Sequence, residues 1–418
     1  MKQTVQLGAL SAANVGIAFL FQWYVLTQLG PGIETDALFA GMTIPQLVTA
    51  VISGSLMHVL VPILAGKDAI RLRLDAWSLL FFVGALIGLV CILLCLSAPW
   101  WIPLTVPGFD EVGKLLTVDL ARIQLICMFF AAINGVQWAA YHARQEFVWA
   151  EFTPILASAF ALLLLIWALP RFGVIAAAWI SALRMALQTV LLAPGMGKPV
   201  WPSLRSPAIG VAWQRVKPLL LGTTYYMTDP VVDRFLLSTT SSGSLSLYYL
   251  AQQIYGAVSE VISKAIATPL IPVLSKLHDV KDRDGFRHAY HQKLWQVAAF
   301  SLIGLLILGL LGQDLLSVFV TYGRLSNQNL ELLWLMMLLM AGRFAIGNIG
   351  MIMTSMLYSL GDTKSPTEVG VAAYTLGIVI RIVMFYFAGV LGLALGITIH
   401  YIIYLVLMLN KIHDKQYI

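Results

Sequence analysis

Apolar runs long enough to cross a bilayer follow one another along this chain with few interruptions, and that succession constrains its fold more than any motif does. Cut at charged or Pro/Gly-rich breaks, the sequence gives about twelve spans, near 7–29, 37–64, 77–101, 115–140, 150–169, 172–194, 212–238, 245–274, 294–320, 329–358, 366–387 and 389–410. Each holds about 20 residues or more, which a helix rising ~1.5 Å per residue needs to cover ~30 Å of hydrocarbon. With 59% hydrophobic and only 11% charged residues, and a mean hydropathy of +0.84, most of the chain is insoluble unless its apolar faces meet lipid. The expected fold class is an all-α polytopic membrane protein. The start of the chain reads as a retained first span, because no small-residue cleavage site follows a short apolar stretch.

Two matching signatures lie 210 residues apart. His58-Val59-Leu60-Val61-Pro62-Ile63-Leu64 and Pro269-Leu270-Ile271-Pro272-Val273-Leu274 each close a long apolar run, and a Lys-rich segment containing Asp follows both. Duplication explains them, and duplicated membrane halves around a midplane site are the usual build of alternating-access transporters. The Pro-rich, basic stretch 198–217 reads as a cytoplasmic linker between six-helix lobes at 1–197 and 218–418.

Loop charge sets the orientation. Seventeen Lys and Arg fall in alternate loops, including Lys67, Arg71 and Arg73, then Lys198, Arg205, Arg215 and Lys217, and a run from Lys276 to Lys293. The opposite loops hold only Lys114, Arg171 and Arg324. This asymmetry places both termini in the cytoplasm. The net charge of +6 then belongs to a membrane-facing cytoplasmic surface, with no need for a nucleic-acid partner.

Six basic residues fall inside spans: Arg122, Arg184, Arg234, Lys264, Arg343 and Arg381. A charge at the bilayer centre costs at least ~2.5–3.5 kcal/mol, so these groups should face a bundle interior or a wet cavity. Asp119 and Arg122 are i, i+3 neighbours, and Glu260 and Lys264 are i, i+4 in the acid-first order. Asp229 and Asp233 share one helix face, with Arg234 about 100° round and Pro230 between them, an arrangement suited to an ion or substrate site at a kink. Structural ion pairs are the competing reading of all three groups. Pro45, Pro62 and Pro272 read as hinges, because proline lacks the backbone donor and permits a bend. There is no Gly-rich phosphate loop, HExxH, Cys/His cluster or GxSxG, so no enzyme, metal or cofactor is expected. Cys91, Cys95 and Cys127 sit in apolar runs as packing residues, and His58 and His400 are lone histidines near span interiors.

The run Leu29-Gly30-Pro31-Gly32-Ile33-Glu34-Thr35-Asp36-Ala37-Leu38-Phe39, followed by Ile44-Pro45-Gln46-Leu47 and Val59-Leu60-Val61-Pro62-Ile63-Leu64, resembles the opening signature of the MviN/MurJ family of lipid II flippases. Ala98-Pro99-Trp100-Trp101 with Pro107-Gly108-Phe109, Val232-Asp233-Arg234-Phe235-Leu236, Gly243-Ser244, Tyr248-Tyr249, Tyr322-Gly323-Arg324 and Tyr358-Ser359-Leu360-Gly361-Asp362-Thr363-Lys364-Ser365-Pro366 extend the resemblance in order along essentially the whole chain. The resemblance implies the multidrug/oligosaccharidyl-lipid/polysaccharide exporter fold, with two six-helix lobes in a V around a central cationic cavity. It also implies an alternating-access flippase of the bacterial inner membrane. The cargo would be an undecaprenyl-pyrophosphate-linked glycan precursor of the peptidoglycan or exopolysaccharide type. Membrane lipids and glycan-synthesis enzymes are the implied partners.

Two departures from the family stand out. Several members end with two further helices, whereas this chain stops near Lys415, after span twelve. The family's cavity arginines in helices one, two and eight are absent from Ala18-Phe19-Leu20-Phe21-Gln22, Leu47-Val48-Thr49-Ala50 and Ala251-Gln252-Gln253-Ile254. Substitute substrate contacts are then Arg122, Arg184, Lys264, Gln253 and Arg343, while Asp36, Asp229, Asp233, Arg234, Glu260 and Arg381 are the ion-coupling or charge-pair candidates. Arg381 stands where the family often has Asn beside a sodium site associated with helix seven, so a fixed guanidinium facing Asp233 would replace a bound ion. An ion-coupled exporter of small amphipathic molecules, and a transport-inactive scaffold for glycan synthesis, are the alternative readings.

Overall fold

The computed structural model describes residues 2–203, 206–320 and 324–414, with side chains described from residue 9 onward except at 53–55, 57, 58, 218–223, 226, 227, 318–320 and 414. The readings at His58, Arg205, Tyr322, Gly323 and Lys415 lie outside these residues and side chains. All regular structure among the described residues is helical. The helices are α1 (Lys2–Leu29), α2 (Ile33–Gly41), α3 (Thr43–Leu64), α4 (Ala69–Thr105), α5 (Glu111–Ala143), α6 (Phe147–Leu192), α7 (Pro207–Met227) and α8 (Asp229–Ser238). They continue as α9 (Ser244–Ile262), α10 (Thr268–Asp279), α11 (Arg283–Val320), α12 (Asn327–Leu339), α13 (Ala341–Ser359) and α14 (Lys364–Asp414).

Nine helical stretches among the described residues are long and apolar enough to cross a membrane. Two of them are hairpins. In α6, Gly173 adopts φ 63°, ψ −153°, and Trp149 Nε1 donates to the Leu191 carbonyl at 3.1 Å, so the halves before and after Gly173 run antiparallel. In α14, Gly389 takes φ 56° after a non-helical Ala388, and Lys411 Nζ reaches Glu368 at 2.7 Å. The breaks expected near residues 170 and 388 are thus real chain reversals, each at a glycine because the left-handed region strains any residue with a Cβ. Together with the broken helix α7–α8, the hairpins complete the twelve spans.

Other spans break inside the bilayer length. α2 gives way to α3 at Met42, three residues before the buried Pro45, and α7 to α8 at Thr228, just before Pro230. α12 gives way to α13 at Met340. A π-helical turn, Ser263–Ala267, separates α9 from α10. Helix starts are capped by side chains that accept otherwise orphaned N–H groups: Asp110 Oδ1 accepts from Gly113 (2.8 Å) and Asp362 Oδ1 from Ser365 (2.9 Å).

The chain divides into two compact units, Met1–Leu245 and Ser246–Ile418. In the first, α5 is the central post against which α2, α3, α4 and α6 pack, while α1 lies on α6 and α7 on α3. Its core brings together Leu60, Leu64, Leu79, Leu125, Met128 and Val136, and Ile209 of α7 joins them. Gly41 lies on the backbone of Thr117 and Ala121, so a Cβ there would have to push α2 and α5 apart by a few tenths of an ångström. In the second unit, α13 packs on α10, α11 and α14. The outward faces of α4 (Ile92, Leu93, Leu96) and α11 (Leu302, Leu306, Leu310) stay exposed, as lipid-facing surfaces should.

Candidate functional site

In the first unit, polar groups converge at two places. Arg184, half-buried in the second arm of α6, donates from Nη1 to Ser158 Oγ at 3.3 Å in the first arm. Ser158 in turn donates to Asn14 Oδ1 of α1 at a marginal 3.5 Å. A polar seam runs beside it: Thr189 Oγ1 donates to Asn134 Oδ1 (2.8 Å), Asn134 Nδ2 to the Met185 carbonyl (3.3 Å) and Gln137 Nε2 to the Thr189 carbonyl (3.1 Å). Sequence reasoning picked out Arg184 but missed this seam. Its available signal was the i, i+3 placement of Asn134 and Gln137 on one face of an apolar span.

The second place joins α2, α3, α8 and the turn after α8. Asp36 is 3% exposed, and its Oδ2 accepts the Gly243 N–H at 2.6 Å. Gly243 sits at φ +93°, with Pro31 where a Cβ would go, so the carboxylate fixes a turn that only glycine fits. Thr35 Oγ1 tightens the same corner by accepting from Gly32 N–H and donating to the Gly30 carbonyl, both at 3.0 Å. Arg234 is buried and donates from Nη2 to Gln46 Oε1 at 3.2 Å, one residue after Pro45. Asp233 is buried beside it in sequence, whereas Asp229 is only half-buried at the start of α8. Gly108 meets the end of α8 so closely that a Cβ would overlap the Ser238 and Thr239 backbone, and its N–H donates to Ser238 Oγ at 3.3 Å.

The remaining candidate of this unit is more exposed. Arg122 pairs with Asp119 at 3.5 Å with side chains 42% and 69% exposed, and its Nε reaches the Cys95 carbonyl at 3.4 Å. Pro62 is exposed in the last turn of α3.

In the second unit, Glu260 and Lys264 form the expected i, i+4 pair at 2.9 Å, with side chains 50% and 44% exposed. Lys264 lies within the π-helical turn, an irregularity that often marks functional sites. Gln253 and Arg343 are half-buried on α9 and α13. Arg381 is 1% exposed, the largest fully buried side chain among the described residues; its Nε donates to the Gly377 carbonyl at 3.3 Å, and Gly396 packs on its stem. Pro272 is exposed within α10.

Sequence reasoning also missed a clamp around the break at Met340. Thr398 of α14 accepts the Gly342 N–H at 3.0 Å and donates to the Leu339 carbonyl, while Tyr255 of α9 donates to the Met337 carbonyl at 2.6 Å. Side chains thereby replace backbone bonds that the interrupted helix cannot make. Tyr255 also stacks on Phe344 with ring centroids 5.1 Å apart.

Comparisons with known proteins agree with this architecture. Residues 25–417 match the family described as "Lipid II flippase MurJ". A probable lipid II flippase MurJ of Vibrio cholerae is 21% identical over 437 residues, spanning 99% of this chain and 83% of the relative. A lipid II flippase MurJ of Burkholderia cenocepacia is 23% identical over 394 residues, spanning 87% and 73%. Among solved structures, an inward closed conformation of the lipid II flippase MurJ superposes with a TM-score of 0.86 at 16% identity, covering 99% of this chain and 89% of that one. An inward-facing multidrug transporter of the MATE family superposes with a TM-score of 0.80 at 14% identity, covering 99% and 98%, so the fold is one shared by flippases and drug exporters.

Proposed function

Because the chain belongs to the family of the lipid II flippase MurJ, we propose that it moves an undecaprenyl-pyrophosphate-linked glycan precursor, of the peptidoglycan or exopolysaccharide type, across the bacterial cytoplasmic membrane by alternating access. The match over residues 25–417 is the observation that carries this reading. The activity is transport, so no bond in the cargo is made or broken. Both termini lie in the cytoplasm, and enzymes that build or consume the same lipid-linked glycan are the proposed partners.

Physical chemistry supports the reading. A pyrophosphate-sugar head cannot enter hydrocarbon without losing its hydration, so it needs charged and hydrogen-bonding groups at membrane depth, while its polyprenyl tail stays in lipid. Each unit carries a cation suited to this task. Arg184 is held by Ser158, itself in reach of Asn14, in the first unit, and Lys264 is held by Glu260 in the second. The half-buried Arg343 is a further donor, and the fully buried Arg381 remains the charge-pair candidate.

Binding of an undecaprenyl-pyrophosphate-linked sugar to the purified protein in nanodiscs tests these assignments. Arg184→Gln and Lys264→Gln should each weaken binding, and the loss should shrink at high salt because a charge-assisted, partly solvated contact is screened. Wild-type affinity in both variants would rule out substrate contact by either residue.

A further inference from the structure

Trp201 is 94% exposed, the most exposed large apolar side chain of the chain's described residues. It projects from a segment that is otherwise pinned down. Trp77 Nε1 donates to the Met196 carbonyl at 3.1 Å, Ser78 Oγ accepts the Ser203 N–H at 3.0 Å, and Ser206 Oγ donates to Asp75 Oδ1 at 2.7 Å. Asp75 is also held by Lys67 at 2.6 Å. A few residues on, Trp213 of α7 packs edge-on against Phe82, with ring centroids 6.5 Å apart. Met196, Ser203, Ser206 and Trp213 are thus each held against α4, and Trp201 is left pointing away.

The height of that segment relative to a bilayer can be read from α4 itself. Between Trp77 and Trp101 it carries no charge over 25 residues, about 37 Å of helix, enough to cross ~30 Å of hydrocarbon with a tryptophan at headgroup level at each end. The residues before Trp77 are charged: Asp68, Arg71, Arg73 and Asp75. Ser203 is bonded to Ser78, one residue into the apolar run, so the segment lies at the boundary between headgroups and hydrocarbon, with Trp201 two residues away. The surroundings are basic. Residues 198–217 contain Lys198, Arg205, Arg215 and Lys217 and no acidic residue, and by the orientation read from loop charge this is the cytoplasmic side.

We propose that Trp201 is an interfacial anchor that seats the segment joining α6 to α7 on the anionic surface of the cytoplasmic leaflet. The ring inserts among headgroups beside α4, where its apolar body and N–H suit the gradient from hydrocarbon to water. Lys198, Arg215 and Lys217 face anionic lipid phosphates, each raising surface partition by about fivefold. This inference is independent of which molecule the protein transports.

Tryptophan emission of the full-length protein, compared with Trp201→Phe, tests it in proteoliposomes of phosphatidylcholine with and without phosphatidylglycerol. Trp201 is fully outward, so the variant should fold normally, and an unchanged thermal midpoint checks this. The difference spectrum isolates one of 12 tryptophans. With phosphatidylglycerol it should be blue-shifted relative to indole in water and lose intensity when the lipids carry bromine near the top of their acyl chains. That quenching should fall at high salt, and in a Lys198→Ser/Lys217→Ser variant. A difference spectrum typical of indole in water and insensitive to brominated lipid would overturn the anchor. Equal quenching in pure phosphatidylcholine would overturn its anionic character, and a blue shift that appears only on addition of cytosolic proteins would assign Trp201 to a protein partner instead.

Discussion

Replacing Gly342 and Gly309 by alanine should change stability in opposite directions, although both are helical glycines. Alanine is the better helix former by about 1 kcal/mol in a helix interior, which by itself favours both changes. At Gly309, in α11, a Cβ meets nothing within 4 Å, so the gain should be realised. At Gly342, in the first turn of α13, the Cβ would lie 2.7 Å from Thr398 Cγ2 and 2.9 Å from its Cα. The second contact is with backbone, so rotating Thr398 cannot relieve it, and α13 and α14 must move apart. Overpacking of this kind costs about 1–3 kcal/mol. The shift would also stretch the bond from Gly342 N–H to Thr398 Oγ1, now 3.0 Å. Because propensity counts least in a first turn, the net expectation is a loss of about 1–2 kcal/mol for Gly342→Ala and a gain of up to about 1 kcal/mol for Gly309→Ala. Thermal unfolding midpoints of both variants in lipid nanodiscs give the comparison. A Gly342→Ala protein as stable as Gly309→Ala would refute the tight α13–α14 contact and the clamp built on it.

Other expectations follow from the same contacts. Thr398→Val keeps the volume but removes both hydrogen bonds at the Met340 break, costing about 1–3 kcal/mol at ~0.6–1.7 kcal/mol per bond in a membrane; Thr398→Ser keeps them, so unfolding midpoints should rank Ser above Val. Asp36→Ala leaves the buried Gly243 N–H without its acceptor and should cost about 1–3 kcal/mol, while Asp36→Asn retains an oxygen there; hydrogen exchange at Gly243 should accelerate in the alanine variant alone. A double-mutant cycle on Glu260 and Lys264 should give a coupling below about 1 kcal/mol, because both side chains are near half exposure; a much larger value would mean the pair is desolvated in the membrane.

Much of the architecture was legible in the sequence because lipid imposes a simple length rule. The reversals at Gly173 and Gly389 fall at the expected ends of spans, since glycine is the residue that takes the positive φ such turns need. The break at Met340 carried no comparable signal. It is made by Thr398 and Tyr255, 56 and 82 residues away from their partners, and no local composition encodes such contacts. The candidate site divides in the same way. Glu260–Lys264 and Asp119–Arg122 follow from helical spacing and are found as pairs. Asp36 was singled out, but its bond to Gly243 spans 207 residues and could not be foreseen, nor could the contacts of Arg184 with Ser158 and through it Asn14. Arg381 was expected in a span interior, yet only packing reveals that it is wholly enclosed and bonded one turn back to Gly377.

Translocation in sealed proteoliposomes is the most direct test of the central claim. An undecaprenyl-pyrophosphate-linked glycan with a labelled sugar is placed in both leaflets, and an impermeant reagent that modifies the sugar reports how fast the protected pool becomes accessible. With the folded protein the protected pool should be consumed in a protein-dependent manner, and Arg184→Gln with Lys264→Gln should slow it. A protected pool that stays as stable as in protein-free vesicles, with protein verified as folded and inserted, would contradict the assignment of this chain as a flippase of lipid-linked glycans.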